Sequence, residues 1–107
     1  MTDLPSPLAR LVETVNGGDT AGFLDLLAPD GVVDDWGSVY RGRSEIKAWS
    51  DRELIGAKGI MTIRSIGQSG PDTEIIADWK SNFFTGPGRF TFRLQNDKVA
   101  LWRIRGL

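Results

Sequence analysis

The chain of 107 residues has no cysteine, no histidine and a single tyrosine. These absences exclude whole classes of chemistry. Without thiol or imidazole there is no Cys–His or Ser–His–Asp nucleophile, and no zinc site built on thiolates and imidazoles. An all-carboxylate magnesium or calcium site would need a loop of ligand spacing, and none is present. No metal and no cofactor are expected, so acid–base work falls to Asp, Glu, Lys, Tyr or ordered water.

Charge of one sign is also lacking. Thirteen basic against fourteen acidic residues leave a net charge of −1, with no electrostatic footprint for nucleic acid. Basic residues gather late, at Arg89, Arg93, Lys98, Arg103 and Arg105, where strand alternation puts several on one face, a solvated surface or an interface. No apolar run approaches a membrane span. The N-terminal Met1-Thr2-Asp3-Leu4-Pro5 lacks the basic-then-apolar pattern of a secretory signal, so a cytoplasmic protein is expected. The length suits one domain, 1–107, and the 40% hydrophobic and 25% charged fractions are those of an ordinary globular chain.

Helical signals come first. Ser6 can cap a helix with Pro7 at its first position, and Leu8, Leu11, Val12 and Val15 form one apolar stripe. Asn16-Gly17-Gly18 ends it. Asp19 or Thr20 caps a second helix, where Phe23, Leu24 and Leu27 share a face and Pro29 is the stop. Asp30-Gly31 reads as a turn before a short strand through Val32 and Val33. Ser44 caps a third helix with Glu45 in its first turn and Ile46 and Trp49 inward; Gly56 or Gly59 closes that region.

From Ile60 the period changes to two. Residues 61–66 read as a strand, 67–72 as a turn, 74–84 as a longer strand and 85–88 as a reversal. Phe90, Phe92 and Leu94 then alternate with polar residues. Gln95-Asn96-Asp97 turns into a last strand carrying Val99, Leu101, Trp102 and Ile104. Helices followed by antiparallel strands make an α+β chain.

The markers in order are Asn16-Gly17-Gly18-Asp19, the 28–35 stretch Ala-Pro-Asp-Gly-Val-Val-Asp-Asp before Trp36-Gly37, and Tyr40-Arg41-Gly42-Arg43-Ser44-Glu45-Ile46. Together they resemble the nuclear transport factor 2-like superfamily, which includes ketosteroid isomerases and SnoaL-like polyketide cyclases. The resemblance covers nearly the whole chain. It implies three N-terminal helices packed on a curved, mostly antiparallel sheet that forms a cone, a cystatin-like α+β roll. It also implies a homodimer, and a superfamily of this kind hosts enzymes, binding proteins and transport factors alike.

An apolar cone with a few polar groups is a small-molecule site. Strand parity places Val33 and Asp35 inside it, with Ile75, Ala77, Trp79, Phe90, Phe92, Leu94, Trp102 and Ile104. The expected ligand pocket is Leu11, Phe23, Leu27, Trp36, Trp49, Trp79, Phe90, Phe92 and Trp102. Four tryptophans either fill the core or frame a flat apolar ligand.

Asp35 resembles, by its place in Asp-x-x-x-x-Asp before an aromatic turn, the general base of ketosteroid isomerases. A carboxylate among aromatic rings is poorly solvated and takes up a proton more readily. The other reading is a turn aspartate accepting backbone N–H bonds. The isomerases' oxyanion donors have no counterpart, since the positions that the resemblance matches are Leu11 and Phe90, neither of which can donate. Tyr40 and the indole N–H groups of Trp36, Trp79 or Trp102 are the substitutes available. Scytalone dehydratase-like chemistry needs histidines. Asp78 with Lys80 or Arg93 resembles the Asp–Arg set of limonene epoxide hydrolases, but parity puts those residues on the outer face.

Two functions follow. One is proton transfer on an apolar carbonyl compound (isomerisation, cyclisation or dehydration), with Asp35 as the acid–base residue and Tyr40 and Trp102 orienting the ligand. The other is a non-catalytic ligand-binding or dimerising module of the same fold.

Overall fold

The apolar stripe near the N-terminus forms α1 (Ser6–Asn16) and buries Leu8, Leu11 and Val15. This computed structural model describes residues 4–107; residues 1–3, part of the segment read against a secretory signal, lie outside them. The cap of α1 is Pro5, not Ser6, and no side chain closes it, so Ser6 and Pro7 occupy the first turn. Asn16 does more than end the helix. Its Nδ2 donates to the Met61 carbonyl at 2.9 Å and its Oδ1 accepts from the Met61 N–H at 2.7 Å, joining α1 to the sheet.

Asp19 caps α2 (Thr20–Asp25) by accepting from the Gly22 N–H at 2.9 Å. Leu27, expected on this helix, instead begins β1 (Leu27–Asp35). The Leu26 carbonyl is already taken by the Val99 N–H at 2.7 Å, so the chain is drawn into the sheet before another turn can form. Pro29, Asp30 and Gly31 therefore lie inside the strand, at a register irregularity between Leu27 and Val32. A proline is tolerated at such a bulge because ladder bonds are interrupted there.

Trp36 and Gly37 turn β1 into β2 (Ser38–Arg41), a strand that the sequence reading missed. Asp35 pairs with Ser38, and φ is +53° at Trp36 and +93° at Gly37, the signature of a type I′ hairpin. Next comes α3 (Gly42–Glu53), where Glu45 Oε1 accepts from the Arg41 N–H at 2.9 Å; Arg41, not Ser44, is the cap residue.

The remaining chain is a meander of β3 (Ile60–Ser69), β4 (Asp72–Lys80), β5 (Thr85–Gln95) and β6 (Lys98–Arg105). β3 runs past the expected stop at Ile66, because Ser69 pairs directly with Asp72 and leaves only Gly70-Pro71 as the turn. The reversal expected at 85–88 occurs four residues earlier. The Ser81 hydroxyl accepts from the Phe83 and Phe84 N–H groups and donates to the Phe84 carbonyl, closing a tight loop at 81–84.

The six strands form one curved, open sheet in the order β2-β1-β6-β5-β4-β3. Every pair is antiparallel except β1 with β6. Helices pack on its concave side, the α+β cone expected. Among the described residues no helix is long and apolar enough to cross a membrane.

Trp102 is the hub of the core and is fully buried. Phe92 stacks on it at 5.2 Å, while Trp49 and Phe90 meet it edge-on at 5.7 Å and Phe23 at 6.3 Å. Edge-on and offset aromatic pairs add to the burial energy of the rings themselves. Leu11, Leu27, Val33 and Ile75 complete the same cluster. Trp102→Ala should cost about 3–5 kcal/mol of stability, read from the urea unfolding midpoint.

Candidate active site

Parallel pairing sends β1 and β6 out of the sheet at the same end, and β4 ends there too while β5 begins there. The C-terminus of α3 and the two aromatic turns, 36–37 and 81–84, close around that end. Between them lies a cavity of about 270 Å³, near the lower bound of small-molecule sites. Its wall is almost wholly apolar and aromatic. The charged side chains lining it are Asp35, Glu53 and Arg105.

Asp35 is the last residue of β1, half-buried at the cavity wall. Its Oδ2 accepts a hydrogen bond from Trp49 Nε1 at 3.1 Å. Trp49 is itself fixed edge-on against Trp102, and Tyr40 stacks on it at 6.0 Å. The carboxylate is thus positioned by a buried indole. Glu53, the last residue of α3, lines the same cavity wall as Asp35. Burial, and then the negative charge of Asp35, push the Glu53 carboxyl above its ordinary 4.5, and the charge of Arg52 opposes them.

The adjacent carboxylate behaves in the opposite way. Asp34 points to the other face, where Arg105 grips it bidentately at 3.1 Å on both oxygens and the Gly37 N–H donates at 2.9 Å. The hydrogen bond from Arg105 holds Asp34 below its ordinary 3.8, and the Gly37 bond and the charges of Arg105 and Arg103 add to the effect. Arg105, the cation on the cavity wall, is therefore committed to a carboxylate outside it.

No family model matches the chain, and no curated protein matches it in sequence. Solved structures do. A candidate polyketide cyclase from Sinorhizobium meliloti is 20% identical, with 96% of each chain covered and a TM-score of 0.85. A Mycobacterium tuberculosis protein in complex with estradiol-17beta-hemisuccinate is 22% identical over 94% of this chain and 91% of its own, at 0.83. The Delta 5-3-ketosteroid isomerase from a Mycobacterium species is 22% identical over 95% and 91%, at 0.82. The chain has the nuclear transport factor 2-like cone fold.

Within that cone the expected pocket residues divide. Trp36, Trp49, Trp79, Phe90 and Trp102 line the cavity with Asp35. Leu11, Phe23, Leu27 and Phe92 are buried in the core beneath it and do not line it. Tyr40 does not line it either and reaches Asp35 only through Trp49. The indole N–H of Trp102 is buried and meets no acceptor among the described residues. On the outer face Arg93 pairs with Asp72 at 2.8 Å and Asp78 with Arg64 at 3.6 Å. Asp78 and Arg93 do not meet, because the ladder sets Asp78 opposite Pro87.

Sequence reasoning missed Glu53, Phe83, Phe84 and Arg105. The alternation makes Phe83 and Phe84 strand residues, but the turn leaves them 64% and 53% exposed at the cavity. Glu53 lies seven residues after Ile46 and four after Trp49, so the inward stripe of α3 extends to it. That spacing was the signal available.

Trp36 is 63% exposed whereas the other tryptophans are buried. Acrylamide should therefore quench one accessible indole, and Trp36→Phe should remove that fraction. Asp34 contributes stability above its ordinary 3.8 that is lost as pH falls through its lower native value. Asp34→Asn should cost about 1 kcal/mol near neutrality, and urea titrations below pH 4 should show a shallower acid loss.

Proposed function

We propose that the cavity binds an apolar carbonyl compound and that Asp35 moves a proton on it, as in isomerisation, enol-forming cyclisation or dehydration. The observation that carries this reading is the Asp35 carboxylate itself. It is oriented by a buried indole and opens onto an aromatic cavity whose lining cation is already paired. A carboxylate held in place at the wall of a site for a carbonyl compound is positioned for proton abstraction. Proton abstraction next to a carbonyl also needs a donor at the oxygen. Trp102 is a wall residue whose buried N–H has no acceptor among the described residues, and it is the donor this reading assigns. The solved neighbours that carry a steroid derivative or are named for ketosteroid isomerisation support the ligand class.

The second reading is a ligand-binding module without catalysis, favoured by the absence of donors at Leu11 and Phe90, both buried apolar positions. In either case the protein is cytoplasmic, one domain, and a homodimer that pairs through the half-polar outer sheet face around Thr62, Ile76 and Thr91.

Deuterium incorporation into the α-carbons of 2-tetralone in D2O, followed by proton NMR, separates these readings. The wild type should accelerate exchange, and Asp35→Asn should lower the enzymatic rate by about 100-fold or more while leaving the unfolding midpoint near that of the wild type. Binding of 2-tetralone with no acceleration of exchange by the wild type would instead establish the module.

A further inference from the structure

The cavity combines two features that an uncharged ligand leaves unused. All four tryptophans of the chain line it, and three phenylalanines besides. Two carboxyl side chains line it as well, Asp35 from β1 and Glu53 from α3.

Among the described residues no cation is free to balance them. Arg105, from β6, grips Asp34 at 3.1 Å on both oxygens. Arg52 does not line the cavity. Its side chain is 55% exposed, lies over the Tyr40 ring and donates to the Ala48 carbonyl at 3.1 Å. α2, β4 and β5 bring no charged group to the wall. Asp35 has the Trp49 N–H at 3.1 Å. Glu53 has less. Its side chain is only 19% exposed, yet its ion pair with Arg52 is 3.8 Å long. Burial and the charge of Asp35 raise its carboxyl, as expected of an anion short of compensation.

An acid so placed favours a ligand that brings positive charge, because a buried charge is costly unless paired. The rings favour the same ligand. A cation over an aromatic face is attracted by the ring quadrupole, and tryptophan is the best of the aromatic side chains in this role. The rest of the wall decides which kind of cation. A primary ammonium has three N–H donors to satisfy, and beyond the two acids this wall is nearly all carbon. An N-alkylated ammonium presents alkyl groups to the rings and needs few acceptors or none.

We propose that the cavity takes a small organic cation, an N-alkylated ammonium held against the tryptophan rings with Glu53 as its counter-ion. The volume of about 270 Å³ suits a ligand of one or two rings. The assignment concerns what the cavity selects and does not depend on Asp35 moving a proton. Where the ligand is also a carbonyl compound, the ammonium is a second group on the same molecule, beside Glu53, and Asp35 is left to the carbonyl. Anions are turned away, since both acids repel them and Arg105 is already paired.

Three probes of similar shape test this preference: phenyltrimethylammonium, uncharged tert-butylbenzene and anionic benzenesulfonate. Each is titrated at about pH 8, where carboxyls are ionised, and followed by tryptophan fluorescence. The cation should bind about 10-fold or more tighter than tert-butylbenzene, and benzenesulfonate should give no saturable change. Glu53→Gln should weaken the cation about 5-fold or more and leave tert-butylbenzene unchanged. Trp36→Leu, at an exposed ring, should weaken the cation more than the uncharged probe. No saturable response to the cation, equal affinity for the uncharged probe, or binding of the sulfonate would overturn the proposal. A Glu53→Gln variant that keeps the full preference would overturn it too. The 2-tetralone assay is read separately. Exchange without a preference for the cation would leave Asp35 as the base and overturn this proposal, whereas the preference without exchange would support it and overturn the base.

Discussion

Parallel pairing of β1 with β6 governs the rest of this structure. In an otherwise antiparallel sheet it joins the first strand to the last, with Asp35 opposite Ile104. Both strands therefore end at the same edge of the cone. That edge collects the 36–37 hairpin, the end of β4, the start of β5 and, through packing on β1, the end of α3. An antiparallel partner would have carried Ile104 and Arg105 to the far end of β1 and left Asp35 without its wall. Parallel pairs need a long crossover; here most of the chain, from β2 to β5, is that connection.

The core and the site share one set of side chains. Trp102 is the centre of the aromatic cluster and also a wall of the cavity. Trp49 fills the core with its ring and positions Asp35 with its N–H. The cavity is therefore a region where the core is incompletely closed. Rigid packing on one side gives orientation on the other, which a base needs more than mobility. The neighbouring carboxylates Asp34 and Asp35 show how far one residue of strand parity goes. Asp34, turned outward, meets two arginines and becomes a structural anion. Asp35, turned inward, meets an indole and shares the cavity wall with another acid.

Periodicity made the fold legible, because hydrophobic spacing reports which face is buried. The stripe Leu8, Leu11 and Val15 and the alternation of Phe90 and Phe92 survive intact in the structure. Boundaries set by long-range partners were not legible. Leu27 has helical spacing from Phe23, yet Val99, seventy-two residues away, takes the preceding carbonyl and makes it a strand residue. The 81–84 reversal depends on one serine hydroxyl, whereas Gly86-Pro87-Gly88 is the stronger local turn signal. β2 is four residues long and acquires its identity only from pairing with β1. At the site, the position of Asp35 followed from parity. The nearness of Glu53 required knowing how α3 crosses β1.

That crossing bears on the missing donors. A base facing an apolar carbonyl generates negative charge at oxygen, and in a cavity with little polar surface this charge is costly. A set of fixed donors would stabilise it, and neither Leu11, sealed in the core, nor Phe90, on the cavity wall, can donate. Asp35 and Glu53 share that wall, where burial and the charge of Asp35 raise the Glu53 carboxyl. The drier the cavity, the less readily it holds a second negative charge beside the first.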